Sequence, residues 1–312
     1  MRILLTGPTA VGKTDLSLDI AKILHIPIIS ADSRQCYKYM DIGTGKVSEE
    51  EQLRVKHFNI SIFTPDVDDN ASHFHKRAME WESELSYFHD HHLYVGGSTL
   101  YLESLIRPFD DVPKSDPENI SELEKLENEF GLRYLYNELK NTDPEYAAKM
   151  DGMNKQRIYR ALDVFMQTGK PFSHFHHQKK NITPPDDVIV FVLNREREHL
   201  HERISRRVDG MIAQGLVDEV KSILDMGYTA NLNALQTVGY REIIEYLEGK
   251  ITLDKAVELI KRNSRRYAKR QITWFRRWNN VNWLNLDTLS KDQVIQIVIE
   301  HLNTVAANRN II

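Results

Sequence analysis

The sequence predicts an α/β fold: a parallel-sheet core, an all-helical insertion and a helical C-terminal part. Three observations carry this. Residues 1–6 (MRILLT) and 26–30 (IPIIS) are short apolar runs on either side of an amphipathic stretch, 15–24, which makes a strand–helix–strand unit with parallel strands. From about 113 to 185 no strand pattern appears, and every periodic segment is helical. A final apolar run, 188–193 (VIVFVL), then returns the chain to the sheet as the last clear strand.

The elements follow in order. Residues 58–62 read as a strand, 71–89 as a helix, and 93–97 (LYVGG) as a strong strand. In the insertion, 122–129, 133–140, 144–150 and 155–167 are helical. Pro113 and the segment 183–185 suit hinges, so a catalytic core of 1–112 with 186–312 is expected around an insertion domain of 113–185. Beyond Arg195 the helical segments are 198–214, 217–226, 240–247, 253–278 and 291–305.

Composition narrows the function classes. The chain has 312 residues, 28% charged and 41% hydrophobic, long enough to bury a core without staples. Its single cysteine, Cys36, excludes a disulfide framework and a cysteine zinc site, and it reads as a buried small hydrophobe. No apolar run approaches about 18 residues, so no membrane span is expected. A strand starting at Arg2 leaves no room for a signal peptide, and a reducing cytoplasm is the expectation. The net charge of −4 does not advertise nucleic acid, but its distribution is uneven.

Gly7-Pro8-Thr9-Ala10-Val11-Gly12-Lys13-Thr14 matches the phosphate-loop pattern at every fixed position, with a strand before it and a helix after. This makes the core P-loop NTPase-like. Gly7 and Gly12 permit the tight turn whose amides surround a phosphate. Lys13 adds a point charge, and the Thr14 hydroxyl suits Mg²⁺. The loop binds a diphosphate or polyphosphate, and the pattern leaves open which.

Asp32 follows the second strand. In a parallel sheet it opens onto the same crevice as the phosphate loop. It either faces the ligand, or supports Mg²⁺ or caps the next turn. Ser33, Arg34, Gln35 and Tyr37 beside it can hydrogen-bond a base. Arg203, Arg206 and Arg207 follow the last strand, where they reach leaving phosphates or merely charge the surface. Residues 261–277 hold eight basic side chains and no acid: Lys261, Arg262, Arg265, Arg266, Lys269, Arg270, Arg276 and Arg277. Positions 262, 265, 266, 269 and 273 recur at helical spacing, interleaved with Tyr267, Trp274 and Phe275. Solvated helices usually alternate charge signs, so this stripe reads as a phosphodiester-binding face rather than one packed on acidic protein. Two histidine groups, His89, His91 and His92, and His174, His176 and His177, are weak metal signals. The acidic region 110–129 reads as a solvated face of the insertion.

Together these segments resemble the tRNA dimethylallyltransferases of bacterial type. The likeness runs through GPTAVGKT (7–14), ISADSRQCYKYMDIGTGK (29–46), VGGSTLYLESL (95–105), NKQRIYRALDVFMQTGKP (154–171), RISRRVDGMIAQGLVDEV (203–220), TVGYRE (237–242) and RRYAKRQITWFRRW (265–278). It implies transfer of the dimethylallyl group from dimethylallyl diphosphate to N6 of the adenine 3′-adjacent to the anticodon, in tRNAs reading codons that begin with U. The phosphate loop would then hold the prenyl donor rather than ATP.

The resemblance implies roles as well. Asp32 is the base for the amine proton, Thr9 lies near the bridging oxygen, and Lys13, Arg207 and Mg²⁺ near Thr14 take the diphosphate charge. Ser98 or Thr99 takes the place of a family threonine, since Gly96-Gly97-Ser98-Thr99 departs from the usual pattern. Asp32, Ser33, Arg34 and Gln35 would read the flipped base. Gln156, Arg157, Ile158, Tyr159 and Arg160, with Val238, Gly239, Tyr240 and Arg241, would contact the anticodon stem-loop. So would Lys269, Arg270, Gln271, Thr273, Trp274 and Arg276. A monomer is expected. The rival readings are an adenylate isopentenyltransferase, a P-loop nucleotide kinase and a non-catalytic RNA-binding protein.

Overall fold

The computed structural model describes residues 1–107, 112–175 and 182–309. The chain divides into two compact units, Met1–Arg107 with Asn181–Ile312, and Pro108–Lys180.

The larger unit begins with β1 (Arg2–Thr6), α1 (Lys13–Leu24), β2 (Ile28–Ser30), α2 (Glu49–Arg54), β3 (His57–Phe58), α3 (Ala71–Leu85), β4 (His92–Gly96) and α4 (Thr99–Ile106). The smaller unit holds α5 (Pro117–Phe130), α6 (Leu132–Thr142), α7 (Pro144–Ala148), α8 (Lys155–Thr168) and α9 (Phe172–Phe175). The larger unit resumes with β5 (Val188–Asn194), α10 (Arg197–Ala213), α11 (Leu216–Asp225), α12 (Tyr240–Leu247), α13 (Leu253–Phe275), β6 (Asn282–Asn285) and α14 (Lys291–Arg309).

The six strands form one parallel sheet in the order β3-β2-β4-β1-β5-β6. β1 is central, with Thr6 opposite Gly96 on one side and Val192 on the other. Both faces are covered, so the inner strands are apolar throughout rather than alternating. Ile3, Leu5, Ile189, Phe191 and Leu193 pack with Leu16 of α1 and with Val294, Val298 and Leu302 of α14. Leu4, Tyr94, Val190 and Val192 pack on the other side with Phe74 of α3, Leu102 and Leu105 of α4, and Phe275 of α13. A third cluster joins Cys36, Tyr37 and Met40 to helices α10–α13. Cys36 is fully buried there, and burial, then Asp69 and Asp32, push its thiol to about 12, so it packs rather than reacts.

In the smaller unit, α5–α8 close around Leu123, Leu135, Leu139, Ile158 and Leu162. Asp116, Asp143 and Asn154 cap α5, α7 and α8 through their side chains.

The structure departs from the sequence reading at several points. Of the segment 58–62 only Phe58 belongs to β3, which starts one residue earlier at His57, because Asn59 and Ser61 adopt positive φ (63° and 51°) and turn the chain away. β6 was not anticipated. It has four residues of which only Leu284 is buried, and it pairs on one side with β5. Helix α3 stops at Leu85 and α13 at Phe275, short of residues 89 and 278. The sequence pattern marks none of α2, α4 and α9 as separate elements. His92 opens β4, 3.8 Å from Glu82, and His174 lies in α9, while His176, His177 and Asp110 lie outside the described residues. No helix among the described residues is long and apolar enough to cross a membrane.

Candidate active site

The site lies at the carboxyl ends of β1, β2 and β4, in the larger unit. Gly7 follows β1 at φ 147°, and a Cβ there would lie 2.5 Å from the Leu193 carbonyl oxygen of β5. The loop can therefore leave the sheet this closely only with glycine at that position. Gly12 caps α1 in the left-handed region, and no side chain accepts from the first amides of the helix. Those amides, with the helix dipole, favour an anion.

Lys13 donates to the carbonyls of Gly7 and Pro8, both at 2.9 Å. Burial, reinforced by Arg207 and opposed by Asp32, lowers its ammonium to about 8. Three arginines brace three successive loop residues. Arg195 Nε donates to Val11 O (3.0 Å), Arg203 Nε to Ala10 O (2.8 Å), and Arg207 Nη1 to Thr9 Oγ1 (3.5 Å). Arg203 and Arg207 lie one turn apart on α10, so one helix face serves the loop. Arg206 pairs instead with Glu202 at 3.2 Å, both largely exposed.

Asp32 Oδ1 accepts from Arg34 N (2.8 Å) and Gln35 N (3.3 Å), a side-chain turn that fixes the carboxylate. Ser98 Oγ accepts from Ser33 N (2.9 Å) and donates to Ser33 Oγ (3.1 Å). Ser98, not Thr99, lines the cavity. Tyr267 of α13 lines the cavity together with Ser98 and Asp32.

These groups share one cavity of about 740 Å³. Thr9, Lys13, Thr14, Asp32, Arg203 and Arg207 line it with polar groups, and Ile204, Val208, Met211, Val238 and Ile260 give it an apolar wall. The Thr14 hydroxyl and the Asp15 and Asp32 carboxylates are hard oxygen donors. That set fits Mg²⁺ shared with a ligand's phosphates, as this ion keeps few protein ligands.

Four side chains expected to meet RNA are closed off. Ile158 and Tyr159 are buried in the core of the smaller unit, where the Tyr159 hydroxyl donates to Leu123 O. Tyr240 is fully buried with its hydroxyl on Glu219. Gln271 is buried and bridges two backbones: its Oε1 accepts from Thr9 N (2.9 Å) and its Nε2 donates to Gly97 O (2.7 Å). It ties the phosphate loop to the turn after β4. Gly97 makes room for that amide, since a Cβ would lie 2.4 Å from Nε2. Trp274 is half-buried and donates from Nε1 to Glu103 (2.8 Å), with Arg277 stacked on its ring.

Apart from Gly239, the other expected contacts are at least partly accessible. Gln156 and Arg157 are exposed on α8, while Arg160 folds back onto Asp163. Val238 and Gly239 line the cavity, and Arg241 pairs with Glu242. On α13 the exposed stripe is Arg262, Arg266, Lys269, Arg270, Thr273 and Arg276. Arg265 is drawn toward Ser205 and Lys261 toward Asp209, so they leave that stripe. Sequence reasoning missed Arg195 and the loop residues Thr44 and Gly45, which reach the site only through the fold. The closely spaced pair Gly43 and Gly45 was the available signal.

Comparison with known proteins agrees with this geometry. The family model described as IPP transferase matches residues 35–278, and the model described as Isopentenyl transferase matches 1–61. A tRNA dimethylallyltransferase of Clostridioides difficile is 47% identical over 287 residues, covering 91% of each chain. The chain belongs to the tRNA dimethylallyltransferase family. A Thermotoga neapolitana member is 45% identical over 92% of this chain and 93% of its own. The full-length tRNA isopentenylpyrophosphate transferase of Bacillus halodurans superposes with a TM-score of 0.72 at 35% identity, covering 99% of both chains. A eukaryotic dimethylallyltransferase acting on tRNA gives 0.78 at 25% identity, over 97% of this chain and 80% of its own. The phosphate loop, Asp32 and α13 of this family member thus lie within regions matched along nearly the whole chain.

Proposed function

We propose that this cavity transfers the dimethylallyl group of dimethylallyl diphosphate to N6 of the adenine 3′-adjacent to the anticodon, in tRNAs reading codons that begin with U. The observation that carries the reading is the sharing of one cavity by a carboxylate, Asp32, a cationic phosphate loop and an apolar wall.

The allylic C–O bond breaks and its electron pair leaves with the diphosphate. Loop amides, Lys13 and Arg207 stabilise that charge where it develops. The N6 lone pair forms the new N–C bond, and Asp32 accepts the proton released from N6. Thr9, which binds Arg207 and is anchored by Gln271, would meet the bridging oxygen. Mg²⁺ held near Thr14 would neutralise diphosphate charge. Ser98 keeps the Ser33–Gln35 turn, and with it Asp32, in place. The apolar wall suits a five-carbon chain.

A stacked adenine cannot enter such a cavity. It must swing out, which is inexpensive in a single-stranded loop. Ser33, Arg34 and Gln35 are then the base-reading groups, and the α13 stripe holds phosphates of the anticodon arm. Gln156, Arg157 and Arg160 supply further contacts from the insertion. A monomer is part of this reading, and acting on tRNA suits a cytoplasmic location.

Nucleoside mass analysis tests the reading. Unmodified tRNA incubated with the protein, Mg²⁺ and dimethylallyl diphosphate should yield adenosine heavier by one C5H8. Product only on free AMP, or ATP consumption without product, would refute it.

Replacing Lys269 and Arg270 with alanine should weaken tRNA binding and reduce the slope of log K against log salt by about 1–2, since each lost phosphate contact removes just under one unit. Donor affinity should be spared. An unchanged slope would move the RNA surface elsewhere.

The donor's KM should depend on pH through Lys13. The free enzyme loses the Lys13 charge above about pH 8. Bound diphosphate favours the ammonium and raises its pKa. Donor affinity should therefore be constant below pH 8 and fall up to about tenfold per unit above it. A flat profile from pH 7 to 9.5 would show that Lys13 does not hold the donor.

A further inference from the structure

Glu219 lies on α11, outside the cavity wall, yet its carboxylate is unusually well served. It accepts from three consecutive amides, Asp41 N (3.0 Å), Ile42 N (2.7 Å) and Gly43 N (3.1 Å), and from the Tyr240 hydroxyl (2.5 Å). Successive amides turned toward one anion make a nest, and charged acceptors strengthen each bond. Gly43 is part of the arrangement: a Cβ there would lie 2.4 Å from the Tyr240 ring. Loop 41–43 and the start of α12 are thus held on a single side chain.

The next two residues of that loop meet the phosphate-binding machinery. The Thr44 carbonyl accepts from Arg207 Nη2 at 2.9 Å, and a Cβ on Gly45 would lie 2.2 Å from the same nitrogen. Arg207 reaches Thr9 through its other terminal nitrogen. The Gly45 carbonyl accepts from Gln35 Nε2 at 3.1 Å, which joins the loop to the Asp32 turn. A chain of direct contacts therefore runs from Glu219 through 41–45 to Arg207.

We propose that Glu219 is a positioning residue for diphosphate binding: by clamping loop 41–43 and Tyr240 together, it places the Thr44 carbonyl that aims Arg207 at the phosphate loop. The assignment rests on the prenyl-transfer reading for what the diphosphate belongs to, but not for its test. Glu219 touches no reacting atom. Its effect must pass through Arg207, and this separates positioning from general support of the fold.

The test is a double-mutant cycle read by binding of inorganic pyrophosphate, measured by calorimetry on the full chain. Glu219→Gln keeps the shape but sets an N–H₂ against groups that all donate. It should weaken pyrophosphate about tenfold in the parent and less than about twofold in an Arg207→Ala background, because the route is already cut there. Tyr240→Phe removes one of the four donors and should follow the same pattern with a smaller change, which keeps the test open if Glu219→Gln folds poorly. Equal weakening in both backgrounds, or none in the parent, would overturn the proposal. The reading of the reaction fails separately, in the nucleoside assay, where the parent would form no prenylated adenosine.

Discussion

Asp32→Asn is expected to lower prenyl transfer by about 10²–10⁴-fold, the range general bases contribute, while tRNA binding stays near the parent's. The substitution is conservative in structure. The Asn carbonyl can still accept from Arg34 N and Gln35 N, so the turn that holds residue 32 survives. What it removes is the ability to take a proton from N6. It also removes the negative charge that favours the cationic forms of Lys13 and Arg207. The lost carboxylate also repelled the diphosphate, which opposes that effect, so turnover should fall far more than donor affinity. Single-turnover transfer and filter binding of tRNA on the same preparation check both halves. Normal transfer by the variant would mean that another group accepts the proton.

Arg207→Ala is expected to lower kcat by about 10²–10³-fold, as losing a donor aimed at developing charge does elsewhere. Its guanidinium is held at two points, Thr9 Oγ1 and Thr44 O, and burial makes its charge harder to keep, which only a nearby anion offsets. Charge grows on the diphosphate as the C–O bond breaks, so the loss should fall more on kcat than on the donor's KM. Arg207→Lys should recover part of the rate, since a lysine keeps the charge but cannot span both partners. An unchanged kcat in the alanine variant would remove Arg207 from the leaving-group site.

The parts whose physics is local can be read directly from the residues. A phosphate loop needs its glycines, lysine and hydroxyl at fixed spacing between a strand and a helix, so residues 7–14 were legible without any fold. The inner strands β1, β4 and β5 announced themselves because a parallel sheet covered on both faces is apolar throughout. Asp32 could be placed at the crevice, because carboxyl ends of parallel strands open on one side. The basic run on α13 was visible as charge without its opposite.

Tertiary structure decided which members of these segments face the ligand. Helical spacing alone did not separate Gln271, which bridges Thr9 and Gly97 inside the protein, from Lys269 and Arg270 on the surface two residues and one residue away. Nor did it separate Ile158 and Tyr159, which fill a core, from Gln156 and Arg157 beside them. β6 escaped because an edge strand buried at one residue carries almost no hydrophobic pattern. The arginine brace joins residues 9–11 to 195, 203 and 207, and the Glu219 clamp joins 41–43 to 219 and 240. Such contacts depend on distances across the fold, and no local pattern of residues encodes them.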